Sequence, residues 1–348
     1  MLNKIKNNVE RELEKYGRRL ALRLRGQNIP PLIIDTILNF ISRPGKRIRP
    51  ILFAVSYLGF CKKPKPGIYT SAVGLELLHD FLLIHDDIID RTVLRKGQPT
   101  MHCLLDKKLK PFKQLKFTGN DLALVIADII YALALEAFMA NREDPARKLK
   151  ALDTVLRTTA LTGCGEAVEL LAETRDLASW GKNDVYTVYD LKTAQYTFGS
   201  PLAAAAELAG AAPAQINALR RYGELVGRAF QIKDDLLDMF ASEKEIGKTP
   251  LTDLKEGKKT LLIWYAYRHA PAAQRSFLRS ALKQKQISTH TCKKIRSLVV
   301  STGARDYACN AVRAYRSTAL QIAASGKLSL RPACKKALIA LTAKILAD

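Results

Sequence analysis

The chain has 348 residues, 48% of them apolar, which is enough for one large core or two smaller ones. Its formal net charge of +23 suggests anionic partners or a strongly solvated surface, but no nucleic-acid-reading motif accompanies the basic residues, so we expect no nucleic acid partner. The six scattered cysteines form no CxxC pair, and the charged N-terminal segment has no apolar signal core. Together these features predict a cytoplasmic protein with free thiols.

Apolar residues recur at helical spacing along most of the chain, whereas alternating runs of strand length are scarce. Proline, glycine or polar clusters separate the helical stretches, and no long linker divides them. We therefore predict an all-α fold that forms a single domain over residues 1–348. The predicted helices are 71–90, 122–140, 151–173, 201–210, 214–240, 259–268 and 335–347.

The first candidate binding motif along the chain is GKRIRP at 45–50. It places Lys46, Arg47 and Arg49 at a predicted helix start bounded by glycine and proline. Backbone donors and the helix dipole at such a start also favour an anion. A solvated surface explains each of these side chains taken alone, but together they form a candidate anion site.

The segment LLHDFLLIHDDIID (77–90) is an apolar helix that carries aspartates near its end. Asp86 and Asp90 are four residues apart and share one helix face, Asp87 lies on the flank, and His79 precedes Asp86 by two turns. Three carboxylates so close together raise each other's pKa values, and a hard divalent cation would relieve that repulsion. Ligands that are all oxygen favour Mg²⁺ over zinc or copper. Taken alone, such a triplet is more often a solvated helix end.

The stretch LALVIADIIYALALEAFMA (122–140) is nearly long enough to span a membrane. Asp128 and Glu136 interrupt it, which favours a helix buried inside the protein. We therefore expect a soluble protein.

The aspartate pattern repeats in FQIKDDLLD (230–238), which supplies Asp234, Asp235 and Asp238 after another apolar helical run. Two such clusters in core-like helices are hard to explain as surface decoration. If the two helices face each other, their carboxylates form a cage for several Mg²⁺ ions. Mg²⁺ bound by few carboxylates usually shares its coordination with substrate phosphates, so the predicted ligand is a diphosphate.

Basic residues accompany both aspartate clusters, in predicted turns or at predicted helix starts. They are Arg95 and Lys96 in the RKG turn, Lys192 beside Thr193 in KTAQYTFG, Lys248 in GKTP and Lys258 in DLKEGKKT. A solvated face explains any one of them. Their joint association with two DDxxD motifs predicts a diphosphate site.

Taken in order, these motifs resemble those of the trans-isoprenyl diphosphate synthases, the polyprenyl synthetases. The matching segments lie within residues 40–265 and are GKRIRP, LLHDFLLIHDDIID, RKG, LKTA, AFQIKDDLLD and TDLKEGKKT. The resemblance implies an all-α isoprenoid synthase fold with a central active-site cavity. It also implies a homodimeric prenyltransferase that condenses isopentenyl diphosphate head to tail with an allylic diphosphate.

The resemblance assigns roles to the residues that match the family's motifs. About three Mg²⁺ ions would hold the allylic diphosphate, with Asp86, Asp90 and Asp234 as direct ligands. The other three aspartates, which would be further ligands or support the direct ones, are Asp87, Asp235 and Asp238. The cations that would bind the same diphosphate are Arg95, Lys192, Lys248 and Lys258. The residues assigned to isopentenyl diphosphate are Lys46, Arg47, Arg49, His79 and Lys96.

The implied chemistry needs no nucleophilic side chain. Mg²⁺ and the basic residues would draw negative charge onto the leaving diphosphate until the allylic C–O bond ionises. The cation would lie in a dry apolar cavity, with oxygen dipoles of Thr193 and Gln231 nearby, until the double bond of isopentenyl diphosphate attacks it. A proton would then pass to the departed diphosphate. Positioning and electrostatics supply most of such catalysis.

Several features depart from the family's pattern. Lys96 stands where a second arginine is usual and lacks the bidentate fork of a guanidinium. Glu166 stands where glutamine is common, Lys233 precedes the second cluster, and the chain ends in AKILAD without basic C-terminal residues. These are marks of a specialised or partly degenerate enzyme, although two whole DDxxD motifs favour activity.

Product length is expected to depend on the helix below the first motif, where Phe81 and Leu82 lie five and four residues before Asp86. Five helical residues span about 7–8 Å, little more than one isoprene unit. A phenylalanine there resembles the short- and medium-chain enzymes, so we expect a C20 product, with C15 and C25 as the nearest alternatives. Ordinary core packing of Phe81 is the competing interpretation.

Two other classes of protein are alternatives to a prenyl diphosphate synthase. A class I terpene cyclase also uses a DDxxD motif, but its second metal site normally mixes Asn, Ser or Thr with Glu. A non-catalytic subunit of a heteromeric synthase usually lacks one aspartate motif, whereas this chain has both. The charge of +23 also has two interpretations: attraction of diphosphates and peripheral contact with acidic membrane, or a basic surface without function.

Overall fold

The computed structural model describes residues 1–241, 251–284 and 286–347. Helices make up nearly all the regular structure of these ranges. A 3₁₀ turn, Leu177–Ser179, precedes α8, and a π-helix, Asp190–Gly199, joins α8 to α9. In chain order the α-helices are α1 Leu2–Arg25, α2 Pro31–Ile41, α3 Ile48–Phe60, α4 Ile68–Ile89, α5 Met101–Leu109, α6 Gly119–Met139, α7 Pro145–Ala172, α8 Lys182–Tyr189, α9 Ser200–Leu208, α10 Pro213–Phe240, α11 Thr252–Lys255, α12 Leu261–His269, α13 Ala272–Leu282, α14 Thr289–Ser301, α15 Ala304–Ala324 and α16 Pro332–Ile345.

The prediction of an all-α fold is confirmed, and every predicted helix is present with shifted ends. Local signals explain several starts. Proline occupies the first turn of α2, α7, α10 and α16, where its missing N–H costs nothing. Thr118 and Asp121 form a capping box that begins α6. The single domain over 1–348 stays a prediction.

A short hairpin after α4 was not predicted. Its strands, β1 Leu94–Arg95 and β2 Gln98–Pro99, pair antiparallel so that the second residue of β1 lies opposite the first of β2. The turn at 96–97 has positive φ at both residues, 50° and 74°. A two-residue hairpin turn of this kind requires positive φ at both positions. The RKG turn of the sequence is therefore the tip of a hairpin that folds back toward α4.

The two helices that carry the aspartate motifs run through the interior. α4 packs against α1, α3 and α6, and α10 packs against the π-helix, α9 and α15. Buried apolar side chains form a larger cluster around α3, α4, α6 and α9 and a smaller one around α12 and α14. α10 contributes Leu225 to the larger cluster and Ile232 to the smaller one. The site is thus built on elements that both clusters stabilise.

α10 approaches the π-helix through two glycines. A Cβ on Gly227 would lie 2.4 Å from the Cα of Ala194, and a Cβ on Gly223 would lie 2.7 Å from the backbone of Gly199. Only glycine fits at such distances without moving a backbone. The contact fixes the π-helix against the helix that carries the second aspartate motif.

One helix of the described ranges, Gly119–Met139, is long and apolar enough to cross a membrane by length and composition alone. It packs along α4 and α5, and its buried side chains belong to the larger core cluster. This packing agrees with the prediction of a helix inside the protein.

Candidate active site

The first aspartate motif lies at the C-terminal end of α4. The side chains of Asp86 and Asp90 are 31% and 17% exposed. Asp87 is only 1% exposed, and the Arg95 guanidinium binds its Oδ1 through Nε at 2.8 Å and through Nη2 at 2.6 Å. Arg95 also lies 3.2 Å from Asp86 Oδ2. The motif therefore presents two carboxylates to solvent and keeps the third in an internal ion pair.

In the second motif, near the C-terminal end of α10, some carboxylates are again buried while another is partly exposed. Asp235 and Asp238 are 4% and 2% exposed, whereas Asp234 is partly exposed. Asp235 accepts hydrogen bonds from the hydroxyl of Tyr189 and, at 3.0 Å, from Gln231 Nε2. The buried carboxylates are thus engaged in internal hydrogen bonds.

Asp238 binds the backbone of the segment that follows the second motif and carries Lys258 toward the first motif. Its carboxylate accepts hydrogen bonds from the backbone N–H groups of Thr252, at 3.2 Å, and Asp253, at 3.1 Å. Just beyond α11, Lys258 Nζ lies 3.6 Å from Asp90 Oδ2 and 3.6 Å from Asp253 Oδ1. Because Lys258 contacts the first motif and the segment that the second motif holds, the two motifs border the same space.

Burial makes several of these carboxyl groups weaker acids than they would be in water. Burial raises the pKa of Asp90 to about 7, although Lys258 opposes the rise. It also raises the pKa of Asp87 and places that of Asp235 well above its ordinary value. A cation that binds Asp90 near neutral pH must therefore compete with a proton.

The donor set fits Mg²⁺. All the donors are carboxylate oxygens, and the partly exposed ones, on Asp86, Asp90 and Asp234, come from two helices that border one space. Over residues 1–241, 251–284 and 286–347, no three histidine, cysteine or carboxylate side chains are already gathered around one metal position. Mg²⁺ is typically held by one or two carboxylates together with water and substrate phosphates, which this arrangement allows.

Lys192, on the π-helix, is held by two glutamates of α7. Its Nζ lies 2.6 Å from Glu166 Oε2 and also forms an ion pair with Glu169. Burial raises the pKa of Glu166, Lys192 opposes the rise, and Asp86 adds to it. The sequence prediction singled out Glu166 and missed Glu169. The three-residue spacing, which puts both on one helix face, is the signal that could have found it.

We expect Glu166→Gln to strengthen the binding of a diphosphate with Mg²⁺. The change removes one of two carboxylates that compete for Lys192 and one negative charge near Asp86. The affinity for inorganic pyrophosphate with Mg²⁺, measured by calorimetry, should rise about 3- to 10-fold, as expected for one charge-assisted contact. If the protein turns over an allylic diphosphate, as its motifs predict, the KM of that substrate should fall more than kcat changes.

Glu173→Gln, at the exposed end of α7, is the matched control for Glu166→Gln and should leave both quantities unchanged. If pyrophosphate binding weakened in Glu166→Gln, Glu166 would orient Lys192 for the substrate instead of competing with it.

Thr193 and Gln231 meet where the π-helix packs against α10. Thr193 Oγ1 donates a hydrogen bond to Gln231 Oε1 at 2.6 Å, and Gln231 Nε2 donates to Asp235. The amide is therefore held from both ends. The predicted pair of oxygen dipoles is brought together by these contacts.

The GKRIRP motif forms the turn before α3 and the first residues of that helix. Its basic side chains differ in exposure and in their partners. Lys46 is exposed, whereas Arg47 is 4% exposed. Arg47 donates through Nη1 to Glu76 at 2.8 Å, through Nε to Glu10 at 3.1 Å and through Nη2 to the carbonyl of Arg43 at 2.6 Å. Each guanidinium nitrogen is engaged, and these contacts fix the turn. That Arg47 binds substrate stays a prediction.

Arg49 and His79 both lie near the ring of Tyr196. Arg49 Nη2 donates to Thr197 Oγ1 at 2.7 Å, and its guanidinium lies 4.4 Å from the ring centroid of Tyr196. The His79 ring centroid is 6.4 Å from the same ring. Burial and the charge of Arg49 hold the pKa of His79 well below its usual range, so the imidazole is neutral. Lys96 is exposed at the hairpin turn.

Two buried acids of α4, Glu76 and Asp80, interact with these cations and were missed in the sequence. They are 5% and 7% exposed. Burial and the charge of Glu76 raise the pKa of Asp80 well above its ordinary value, whereas Arg47 and Arg49 lower it. Two acids four residues apart inside an apolar helix were the available signal.

Phe81 and Leu82 are partly buried and pack against the larger core cluster. The ring of Phe81 lies 4.7 Å from that of His85 and 5.0 Å from that of Tyr131, centroid to centroid. Because Tyr131 belongs to α6, Phe81 lies between α4 and α6, below the first aspartate motif.

Two further lysines were noted in the sequence, Lys248 as a candidate site residue and Lys233 as a departure from the family's pattern. Lys248 lies outside the described residues, so its role stays a prediction. Lys233 Nζ lies 3.4 Å from the carbonyl oxygen of Ile345, so this departure from the family's pattern ties α10 to α16.

Comparison with known proteins agrees with this site. The polyprenyl synthetase family model matches residues 30–299. Geranylgeranyl diphosphate synthase of Sulfolobus acidocaldarius is 29% identical over 292 residues, 83% of each chain. Octaprenyl diphosphate synthase of Haemophilus influenzae is 31% identical over 285 residues, 81% of this chain and 79% of that one.

A solved structure shows the same fold. It is a geranylgeranyl pyrophosphate synthase of Corynebacterium glutamicum complexed with isoprenyl diphosphate and magnesium. It superposes with a TM-score of 0.90 over 100% of this chain and 99% of that one, at 23% identity. The family match, the relatives and the fold agree, and the chain therefore belongs to the polyprenyl synthetase family and is a prenyltransferase of the trans-prenyl diphosphate synthase type.

Proposed function

We propose that this protein makes an all-trans C20 product, geranylgeranyl diphosphate, from isopentenyl diphosphate and a shorter allylic diphosphate. Relatives named for C20 and C40 products are 29% and 31% identical, so similarity alone does not choose a length. The observation that carries the choice is the Phe81 ring, which packs against Tyr131 across the gap between α4 and α6. A tail that descends along α4 would meet this ring after about 7–8 Å, which disfavours a long product such as C40. Among the shorter products, C20 is proposed because a phenylalanine at this position resembles the short- and medium-chain enzymes.

The aspartate motifs are proposed to bind about three Mg²⁺ ions. Mg²⁺, when bound, neutralises the allylic diphosphate and makes it a better leaving group. The partly exposed Asp86, Asp90 and Asp234 would be the direct ligands. The buried aspartates would support them indirectly, since Arg95 joins Asp87 to Asp86 and Asp238 binds the segment that brings Lys258 to Asp90. These supporting residues are Asp87, Asp235 and Asp238.

The basic residues that border the motifs are proposed to share the diphosphate charge. Arg95 and Lys258 contact the first motif directly, and Lys192 lies within range of the Asp86 charge. Such preorganised cations act most strongly on charge that develops in the transition state, as it does on the departing diphosphate. Thr193 and Gln231 would place oxygen dipoles toward the allylic cation.

Isopentenyl diphosphate is proposed to bind at the cluster around the start of α3. Lys46 and Lys96 are exposed there, and Arg49 is held by Thr197. The neutral His79 would contribute an N–H donor rather than a charge. Lysine in place of arginine at position 96 keeps the charge but loses bidentate binding.

We also propose that the enzyme is a homodimer that pairs through α6 and α7, which contact each other. Large apolar side chains are exposed along both helices, as is typical of an oligomer interface. They are Leu124, Val125, Leu149, Leu161, Leu170 and Leu171. Sedimentation velocity should give twice the chain mass of 38.7 kDa, and a mass of one chain would contradict the proposal.

The product assay tests the proposed function. Purified protein receives Mg²⁺, labelled isopentenyl diphosphate and, in turn, dimethylallyl, geranyl or farnesyl diphosphate, and the products are sized by mass. A C20 product is expected. A C15 or C25 product would keep the reaction and correct the length. Cyclic hydrocarbon from an allylic substrate alone would favour the cyclase, and no turnover with any primer would favour a non-catalytic subunit.

Phe81→Ala should lengthen the product by at least one five-carbon unit, because removing the ring opens the path between α4 and α6. The same assay measures the change. Phe277→Ala, which truncates a partly buried phenylalanine of the smaller core cluster, is the matched control and should leave the length unchanged. An unchanged product distribution in Phe81→Ala would show that Phe81 is ordinary core packing and that other side chains set the length.

A further inference from the structure

The last residues of α5 and the loop that joins α5 to α6 carry exposed apolar side chains between lysines. In KKLKPFKQLKF (107–117), lysine recurs throughout and no acidic residue is present. Phe112, Leu115 and Phe117 are 60%, 39% and 44% exposed. The proposed reaction uses none of these residues. Several large apolar side chains exposed together on one short loop are typical of a contact surface.

The loop is fixed at its base. Asp106 Oδ1 accepts a hydrogen bond from the backbone N–H of Gly119 at 2.7 Å, which closes the loop where α6 begins. Lys108 Nζ donates to Thr36 Oγ1 at 3.2 Å, which ties the loop to α2, and Thr118 caps the first turn of α6. The apolar side chains are therefore presented from an anchored base.

We propose that residues 107–117 bind the surface of an anionic lipid bilayer. The lysine ammonium groups would contact lipid phosphates, while the phenylalanine and leucine side chains enter the region below the headgroups. Anionic lipids attract basic segments of this kind, and inserted apolar side chains add to that attraction. The alternation of lysine with exposed apolar residues matches both parts of such a contact.

Charge favours the bilayer over other occupants. A second copy of the chain carries the same formal net charge of +23, and the loop offers it no carboxylate, so two loops would repel each other. A nucleic acid would leave the exposed Leu115 unburied, and the segment has no arginine for bidentate phosphate or base contacts. Of these three occupants, the bilayer is the one that accommodates both the lysines and the apolar side chains.

The proposed membrane contact is separate from the proposed reaction and does not depend on the length of the product. A prenyl diphosphate has an apolar tail and an anionic head, so an enzyme held at a bilayer would release its product where the tail can partition. The lysine-rich loop would make this association weaker at high ionic strength.

The test is co-sedimentation of the full-length protein with vesicles of phosphatidylcholine alone or with about 30% phosphatidylglycerol. The partition coefficient should be at least about tenfold higher for the anionic vesicles and should fall in about 0.5 M salt. Two variants should each lower it about tenfold. One combines Phe112→Ser, Leu115→Ser and Phe117→Ser, and the other combines Lys107→Gln, Lys110→Gln, Lys113→Gln and Lys116→Gln.

Matched controls remove the same kinds of side chain elsewhere. Leu22→Ser with Val300→Ser removes exposed apolar side chains, and a lysine control combines Lys293→Gln, Lys294→Gln, Lys327→Gln and Lys336→Gln. Both controls should keep most of the binding. The loop variants should keep their turnover of a soluble short primer and their melting temperature, which shows that they fold. Equal binding to both vesicle types, or an equal loss in the controls, would overturn the proposal.

Discussion

Asp86→Asn and Asp234→Asn are each expected to lower kcat/KM at least about a thousand-fold without unfolding the protein. One preorganised group that stabilises transition-state charge is commonly worth about 10²–10³ in rate, and each of these carboxylates is proposed to hold a metal that acts on the leaving diphosphate. Both side chains are partly exposed, so the amides should cost little stability.

Two measurements check this expectation. Steady-state kinetics at saturating Mg²⁺ give kcat/KM, and calorimetry with inorganic pyrophosphate shows whether the metal–diphosphate complex still binds. Asp153→Asn is the matched control, because Asp153 forms an exposed ion pair with Arg157 on α7, and it should change kcat/KM less than about twofold. Activity within about tenfold of wild type in either motif variant would mean that the two motifs do not serve one diphosphate.

Gly227→Ala is expected both to destabilise the protein and to lower its activity. The new Cβ would lie 2.4 Å from the Cα of Ala194, so a backbone must move. Overpacking of this kind typically costs about 1–3 kcal/mol, and alanine returns about 1 kcal/mol through its higher helix propensity. Because the new methyl group meets backbone, the upper end of that range applies, and the net loss in the free energy of unfolding should be about 2 kcal/mol. The loss of activity should be larger than the loss of stability, because the displaced π-helix carries Lys192 and Thr193.

Gly163→Ala is the control for this substitution. Gly163 is an exposed residue within α7, and a Cβ there meets nothing within 4 Å. It should therefore raise the free energy of unfolding by about 0.5–1 kcal/mol through helix propensity alone. Thermal unfolding and kcat, measured for both variants, check the contrast. If Gly227→Ala kept wild-type stability and rate, the close contact between α10 and the π-helix would not be needed for the site.

Helical periodicity and the motifs could be read from the sequence because each depends on local spacing. Asp86 and Asp90 share a helix face by geometry alone, and the second cluster repeats the pattern. Spacing could not show that Asp87 is buried against Arg95, or that Asp238 caps the segment that brings Lys258 to Asp90. Those contacts join parts of the chain that only tertiary packing brings together.

Arg47 shows the limit of motif reading most clearly. It stands between Lys46 and Arg49 with the same charge, yet its partners are Glu76 on α4 and Glu10 on α1. Nothing local distinguishes an arginine that faces a ligand from one that faces a buried carboxylate. The π-helix was missed for a related reason, since it depends on the approach of Gly223 and Gly227 from another helix.

Both aspartate motifs are proposed to serve one reaction, in which an allylic diphosphate leaves and isopentenyl diphosphate attacks. The most direct measurement is the ratio of inorganic diphosphate released to labelled isopentenyl units incorporated, with dimethylallyl diphosphate and Mg²⁺. One diphosphate should be released for every five-carbon unit added, and both quantities should vanish together when Mg²⁺ is chelated. Diphosphate release without incorporation of isopentenyl units would contradict this proposal.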